Sequence, residues 1–177
     1  RTRRIASLRL PSMSGNFEEI WNNNFAGELP AGYVLRSAYA SRWVRFHYWP
    51  TSKRYPENEG DFQTLLKRVD TIARNCLALD QDLWMAASLY DNSRRSDQKR
   101  WHKDVRMPHK LTPAFKWSFD INDAEAGRHT AFAGRCRWSI EAFGQLIRQI
   151  TDGTYAHLIW LDPYSGIVFA PYEGGID

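Results

Sequence analysis

The feature that most constrains this chain of 177 residues is a stripe of apolar side chains at helical spacing between residues 61 and 79. Its members recur at intervals of three and four residues: Phe62, Leu65, Leu66, Val69, Ile72, Ala73, Cys76 and Leu77. Charged residues such as Lys67 and Arg68 lie mainly on the other faces. A stripe this wide predicts a long helix that begins at Asp61 as its N-cap and packs against a sheet.

The segments around this helix alternate in the way that β-strands do. Residues 115–121 place apolar side chains on one face and polar ones on the other, which is typical of an antiparallel strand with one wet face. Further strands are predicted at residues 33–39, 42–49, 83–90, 129–138, 155–161 and 167–172. The turn from Asp162 to Gly166 has proline after aspartate and glycine at its end, so it joins the last two strands as a hairpin.

Two further helices carry recognisable start signals. Asn16, with Glu19 three residues later, has the pattern of a capping box for a short N-terminal helix. Ser139 is expected to cap a third helix, and Gly153 to end it. Because strands neighbour strands along the chain, the sequence predicts an α+β fold. It consists of a mainly antiparallel sheet with two amphipathic helices packed on one face and a short N-terminal helix.

Composition sets the expected domain limits. Residues 1–15 are polar and basic and are predicted to be a flexible segment, whereas residues 16–177 form a single α+β domain. Met13 is a candidate natural start, which would make residues 1–12 an upstream addition. The tail at residues 173–177 is expected to be flexible unless it is tied down. No apolar run has the length of a membrane span or of a signal peptide core, so a cytoplasmic location is expected.

The net charge is +4, but it is unevenly distributed, because two segments of the chain are strongly basic. Four arginines lie within the first nine residues, and residues 94–110 hold seven lysines or arginines against two aspartates. A basic segment attracts phosphates and acidic protein surfaces. The residues predicted to bind a partner are Arg94, Arg95, Lys99, Arg100, Trp101, His102, Lys103 and Arg106. Cations mixed with an aromatic ring also suit nucleic acid, so a nucleic-acid-binding module that uses residues 94–110 is the alternative hypothesis.

The sequence lacks the common motifs of catalysis. It contains no GxSxG, no GxxxxGKS or GxxxxGKT, no GxGxxG and no HExxH. Cys76 and Cys136 are expected to be buried thiols. Arg135 and Arg137 flank Cys136 and would favour its thiolate, but they point to the opposite face of the strand. No metal site and no cofactor are predicted. An unrecognised enzyme is the third hypothesis, with a pocket lined by Trp43, His47, His157 and Trp160.

Several short stretches, taken in order, resemble the landmarks of a family of small uncharacterised bacterial proteins. They are Trp21–Phe25, Val34–Arg36, Val44–Phe46, the helix at residues 61–79 and the closing segment Ile167–Asp177. The likeness in layout spans residues 16–177. The family closes with a Tyr-Asp-Asp-Arg-Gly strand, whereas this chain has Glu173-Gly174-Gly175 at that place. No role of that arginine therefore carries over.

Members of this family look like companions of secreted bacterial toxins. The resemblance therefore implies an immunity protein, which neutralises a cognate toxin by direct protein–protein binding and is not an enzyme. Such a protein needs a preorganised surface with a few aromatic or arginine anchors rather than catalytic groups. The basic segment at residues 94–110 would then enter an acidic or neutral cleft of the toxin.

Overall fold

The fold is described here from a computed structural model, which covers residues 15–50, 53, 55–78, 80–90, 110–118, 128–155 and 157–177. The helices in these ranges are α1 (Phe17–Phe25), α2 (Gly32–Ala38), a 3-10 turn (Ala40–Arg42), α3 (Glu59–Cys76) and α4 (Ile140–Thr151). The strands are β1 (Phe46–His47), β2 (Leu83–Tyr90), β3 (Thr112–Ser118), β4 (Arg128–Cys136), β5 (Leu158–Leu161), β6 (Val168–Phe169), β7 (Pro171–Tyr172) and β8 (Gly175–Ile176). This content confirms the predicted α+β class.

Two antiparallel sheets organise the molecule. The larger has the strand order β3-β4-β2-β5-β6, and the smaller has the order β1-β8-β7. The central strand β2 pairs with β4 from Leu83, opposite Cys136, to Tyr90, opposite His129. Its other edge pairs with β5, where Trp84 lies opposite Leu161. A strand that is paired on both edges and covered on both faces reads as a continuous apolar run, which is the pattern of residues 83–90.

Helices cover both faces of the larger sheet. Met85 and Trp160 point into a core cluster that includes the apolar faces of α3 and α4. Their neighbours Ala86 and Ile159 point the other way, into a cluster built largely by α1 and α2. The two long amphipathic helices therefore share one face, as the sequence predicts, and the short helices cover the other. The alternation of side chains along β2 and β5 makes this three-layer arrangement possible.

The helix starts follow from side-chain caps. The predicted capping box of α1 is confirmed: the Asn16 side chain accepts from the Glu19 N–H at 2.9 Å, and the Glu19 carboxylate accepts from the Asn16 N–H at 3.2 Å. Ser139 caps α4 as predicted. The prediction that Asp61 caps α3 is wrong. Asn58 is the cap and accepts from the Asp61 N–H at 2.9 Å, because the Asp61 carboxylate is held instead by Lys53 at 2.6 Å.

The predicted strands at residues 33–39 and 42–49 are wrong in large part. The first range forms helix α2, and in the second only Phe46 and His47 join a sheet. The apolar run is short enough to fit either periodicity. Helical geometry is selected because the consecutive residues Val34 and Leu35 are both buried, in two different clusters.

The last strand also differs from the prediction. Residues 167–172 bend at Ala170 from the larger sheet into the smaller one, so the single predicted strand is divided into β6 and β7. The tail, which was expected to be flexible unless it is tied down, is tied down. Asp177 and Ala170 exchange two main-chain hydrogen bonds of 2.9 Å each, and the Ile176 side chain is buried. The hairpin turn is confirmed, with Gly166 at a φ of +71°.

The other predicted strands occur with shifted limits. Strand β4 spans residues 128–136 rather than 129–138, and β5 starts at residue 158 rather than 155. Strand β3 starts earlier than predicted, at Thr112, and residues 119–121 lie outside the described ranges. The basic N-terminal segment at residues 1–14 also lies outside them. Among the described residues, no helix combines the length and the apolar character of a membrane span.

The close pairing of β1 with β8 requires a residue without a side chain at Gly175, and this can be tested by substitution. A Cβ at this position would overlap the carbonyl oxygen of Phe46. We expect Gly175→Ala to lower the free energy of unfolding by about 1–3 kcal/mol, since the main chains must move apart. Urea denaturation measures this change.

Gly144 of α4 is the matched control for this substitution. A Cβ there would make an ordinary contact of 3.6 Å with Leu66. Gly144→Ala is expected to raise the free energy of unfolding by about 0.5–1 kcal/mol, because alanine favours the helix. Equal losses of stability in the two variants would contradict the close approach at Gly175.

Candidate functional site

Two cavities lie side by side where the two sheets meet. The larger has a volume of about 510 Å³ and the smaller about 320 Å³. Gly32, Ala170 and Asp177 contribute to the walls of both, so these three residues form the ridge between them. The ridge is tightly packed, since a Cβ at Gly32 would lie 2.9 Å from the Cβ of Ala170.

We call the larger cavity the apolar groove. One wall comes from residues 42–44 and Phe46, which lead into and form β1, and the other from residues 165–170, which include β6. Ile176 and Asp177 are also among its lining residues. The groove leaves three large apolar side chains exposed: Val44 is 60% exposed, Phe46 43% and Ile167 41%. Exposed apolar side chains grouped around one cavity are typical of a surface that another molecule covers.

A single ion pair fixes the corner of this groove. Nε of Arg45 donates to one carboxylate oxygen of Asp177 at 2.8 Å, and its NH2 group donates to the other at 3.1 Å. The guanidinium also lies between the rings of Trp43, at 4.7 Å, and Tyr172, at 4.8 Å. The hydrogen bond to Asp177 is the main cause that raises the pKa of Arg45. Arg45 is thereby held in one geometry and keeps its charge.

Strand register explains why these two residues meet. Phe46 lies opposite Ile176 in the antiparallel pair of β1 and β8. Arg45, which immediately precedes β1, therefore comes opposite Asp177, the residue that follows Ile176. The pair is largely shielded from solvent, with 24% of the Arg45 side chain and 8% of the Asp177 side chain exposed.

The smaller cavity is lined by aromatic and charged groups. They include Tyr33, Arg36, Tyr155, His157, Tyr172 and Glu173. His157 has a left-handed backbone with a φ of +65°, which is uncommon for a residue other than glycine. Its ring lies 5.0 Å from that of Tyr33. Since Arg36 and Glu173 carry opposite charges, this cavity has no strong preference for a cation or an anion.

Only some of the residues that the sequence predicts to form sites lie within the described ranges. The eight residues of the predicted partner-binding set, from Arg94 to Arg106, lie outside the described ranges. The predicted enzyme pocket is not formed. Trp43 lines the apolar groove and His157 lines the smaller cavity, while Trp160 is buried in the core against Trp138. His47 is exposed on β1. Among the described residues, no group of three or more His, Cys, Asp or Glu side chains is arranged to hold a metal ion.

Sequence analysis did not identify the main residues of the groove. Val44 and Phe46 belong to a segment that alternates like a half-buried strand, so nothing marked them as exposed. Asp177 lies in a tail that looks unrestrained. The one sequence signal that connects the two walls is the family resemblance. Both Val44–Phe46 and the closing segment carry it.

Cys136 is buried and its thiol is protected from ionisation. Burial, with a smaller effect from the charge of Asp82, raises the pKa of Cys136 to about 12. The flanking arginines are engaged elsewhere: Arg137 pairs with Asp82 at 3.2 Å, and Arg135 lies over the ring of Trp84 at 4.4 Å. This arrangement agrees with the expectation of a buried, unreactive thiol. Cys76 is half-buried and lines the apolar groove.

Alkylation tests the state of the two thiols. The thiolate is the reactive form, and a raised pKa keeps a thiol protonated at all pH values below it. At pH 8 we expect iodoacetamide to modify Cys76 slowly and Cys136 only after unfolding in urea, as measured by mass spectrometry. Modification of native Cys136 at the rate seen in urea would contradict this arrangement.

A double-mutant cycle tests the ion pair at the corner of the groove. Because the Arg45 guanidinium and the Asp177 carboxylate are shielded and doubly hydrogen-bonded, we expect a coupling of about 1–3 kcal/mol between Arg45→Ala and Asp177→Ala. Urea denaturation of the four proteins gives the value.

The control for this cycle is the exposed pair Arg137 and Asp82, whose side chains are 71% and 53% exposed. Its coupling is expected to stay within about 0.5 kcal/mol, because solvent screens the charges. If the two couplings were equal, the Arg45–Asp177 pair would be no more than a surface contact.

The groove walls and the residues of the ion pair lie in a stretch of sequence that matches a family model. A family model described as a domain of unknown function, DUF3885, matches residues 31–177. The match includes both groove walls, Arg45 and Asp177, and it starts after helix α1. No curated protein and no solved structure shows a significant match to the chain. Since the matched range covers well over half of its residues, the chain belongs to the DUF3885 family of domains of unknown function.

Proposed function

We propose that this domain is an immunity protein that neutralises a cognate bacterial toxin by binding it through the apolar groove. The observation that carries the proposal is the grouping of Val44, Phe46 and Ile167 around one cavity, with each side chain at least 41% exposed. A partner that covered these side chains would gain the free energy of apolar burial.

The rim of the groove supplies an anchor of a second kind. Arg42 lines the groove and is exposed, and no carboxylate of the described residues lies within salt-bridge distance of it. Aromatic and arginine side chains are the groups that most often dominate binding energy in protein interfaces. Trp43, which lines the groove, is held in place by the Arg45 guanidinium, so it loses little conformational freedom on binding.

The toxin as the partner is supported by the resemblance set out above. The two stretches Val44–Phe46 and Ile167–Asp177 that carry part of this resemblance are also the stretches that build the groove. A protein that acts by binding needs such a rigid, partly apolar surface.

A charge placed in the groove tests the proposal. Phe46→Asp would bury an unpaired carboxylate in the complex, so the dissociation constant for the toxin encoded by the neighbouring gene should rise by at least about 30-fold. Isothermal titration calorimetry measures the constant, and survival of cells that express the toxin reports neutralisation.

Tyr55→Asp is the matched control, because Tyr55 is similarly exposed, at 46%, and does not line the groove. It should bind as tightly as the unmodified protein. Unchanged binding by Phe46→Asp would show that the groove is not the interface. A neighbouring gene product that is neither toxic nor bound would refute the immunity proposal itself.

A second candidate function is nucleic-acid binding through residues 94–110, which is favoured by their net charge of +5. It predicts binding to DNA or RNA that weakens steeply with salt and weakens further in Arg94→Ala, Arg95→Ala and Arg100→Ala. Gel retardation at low salt distinguishes it from the first proposal, since Phe46→Asp should leave such binding unchanged.

A further inference from the structure

We propose that the smaller cavity binds a small zwitterion that carries an aromatic ring, the chemical class of the aromatic amino acids. The site is separate from the apolar groove, and it does not require the function proposed above. Two walls of the cavity carry opposite charges that do not pair with each other, and aromatic rings lie between them.

The cavity lies on the side of the ridge that faces away from the groove. Its volume of about 320 Å³ suits one small molecule. Strand β8 passes Pro171 at Ile176, and the chain then passes Ala170 at Asp177. This direction leads towards Val168 and the groove, whereas the cavity borders the chain from residue 170 to residue 173.

Helix α2 forms the positive wall. Tyr33 and Arg36 are three residues apart on this helix, so they share the face that lines the cavity. The Arg36 guanidinium is exposed and lies 5.9 Å from the ring of Trp43. Within the described ranges, no carboxylate lies at salt-bridge distance from it. Arg36 is therefore available to a carboxylate of a ligand, which a guanidinium can bind with two hydrogen bonds.

Glu173 and the end of α4 form the negative wall. A Cβ at Gly153 would lie 3.7 Å from one carboxylate oxygen of Glu173, so this carboxylate faces the C-terminal end of the helix. Both groups are negative, since a helix carries a partial negative charge at its C-terminus. The described contacts of Glu173 include no cation, and its hydrogen bond from the Tyr55 hydroxyl is long, at 3.4 Å. An ammonium group placed here would relieve this repulsion.

The other ionisable groups of the cavity leave this polarity unchanged. Arg45 and Asp177 neutralise each other in their ion pair. Burial and, to a lesser extent, the nearby His129 lower the pKa of His157, so its imidazole is uncharged at neutral pH. A ligand that carries both charges therefore matches the cavity better than a simple cation or anion.

The aromatic side chains define the middle of the site. The rings of Tyr33 and His157 lie 5.0 Å apart, and His157 is held in a left-handed backbone conformation. Burial raises the pKa of Tyr172, while the charges of Arg36 and Glu173 act on it in opposite directions. The phenol of Tyr172 thus lies within electrostatic reach of both walls. A ligand ring would pack against these aromatic groups while its carboxylate and ammonium reach the two walls.

Titration of isotope-labelled protein with L-phenylalanine tests the site by NMR at pH 7. We expect a dissociation constant below about 1 mM, with shifts of the Arg36 and Gly153 amide resonances. Phenethylamine lacks the carboxylate, 3-phenylpropanoate lacks the ammonium and alanine lacks the ring, so each should bind at least about tenfold more weakly. The proposal is overturned if L-phenylalanine does not bind at about 10 mM, or if any of these analogues binds as tightly.

Charge variants assign each end of the ligand to its wall. Arg36→Gln should weaken binding of L-phenylalanine at least about tenfold and leave phenethylamine unchanged, because phenethylamine has no carboxylate to lose. Glu173→Gln should weaken L-phenylalanine equally and leave 3-phenylpropanoate unchanged. A variant that weakened all ligands alike would contradict the assigned orientation. If a variant fails to fold, as judged by thermal melting, the analogues still decide on the unmodified protein.

Arg42→Gln and Glu57→Gln are the matched controls, because both residues are exposed and neither lines the cavity. They should bind L-phenylalanine as the unmodified protein does, and an equal loss in Arg42→Gln would contradict the site. The proposed function is tested separately. If L-phenylalanine binds while the toxin ignores Phe46→Asp, the cavity site stands and the proposed function fails. If the toxin depends on Phe46 and L-phenylalanine does not bind, the reverse holds.

Discussion

The bidentate ion pair between Arg45 and Asp177 is the contact on which the groove side of the molecule depends. It joins the segment before β1 to the end of β8, across a sequence separation of 132 residues. The same Asp177 returns two main-chain hydrogen bonds to Ala170, where the chain passes from one sheet to the other. One residue thus connects both groove walls. Because the guanidinium is also enclosed by Trp43 and Tyr172, the corner has little freedom to rearrange.

The two core clusters explain why a cavity forms beside this corner. Ile72 and Phe169 line the groove from the cluster beneath α3 and α4, and Leu35 lines it from the cluster beneath α1 and α2. The strand β6 between the clusters contains two residues and lies at the edge of its sheet. The groove is therefore the place where both layers reach the surface at a strand edge.

This arrangement links stability to the proposed binding. Groups that hold the fold together, such as Arg45 and Asp177, also keep Val44 and Phe46 in a fixed position next to the cavity. A surface that is ordered before binding pays less conformational entropy when a partner arrives.

The sequence by itself determined the elements whose signals are local. The apolar stripe of α3, the capping box at Asn16, the apolar run of β2 and the turn at Asp162 all depend on residues a few positions apart. Only the tertiary structure decided that residues 32–38 form a helix, because a short apolar run fits two periodicities and burial in two clusters selects one. The groove and the Arg45–Asp177 pair likewise depend on the register of strands far apart in the chain. Local spacing carries no information about such a register, since it is set by the packing of the whole domain.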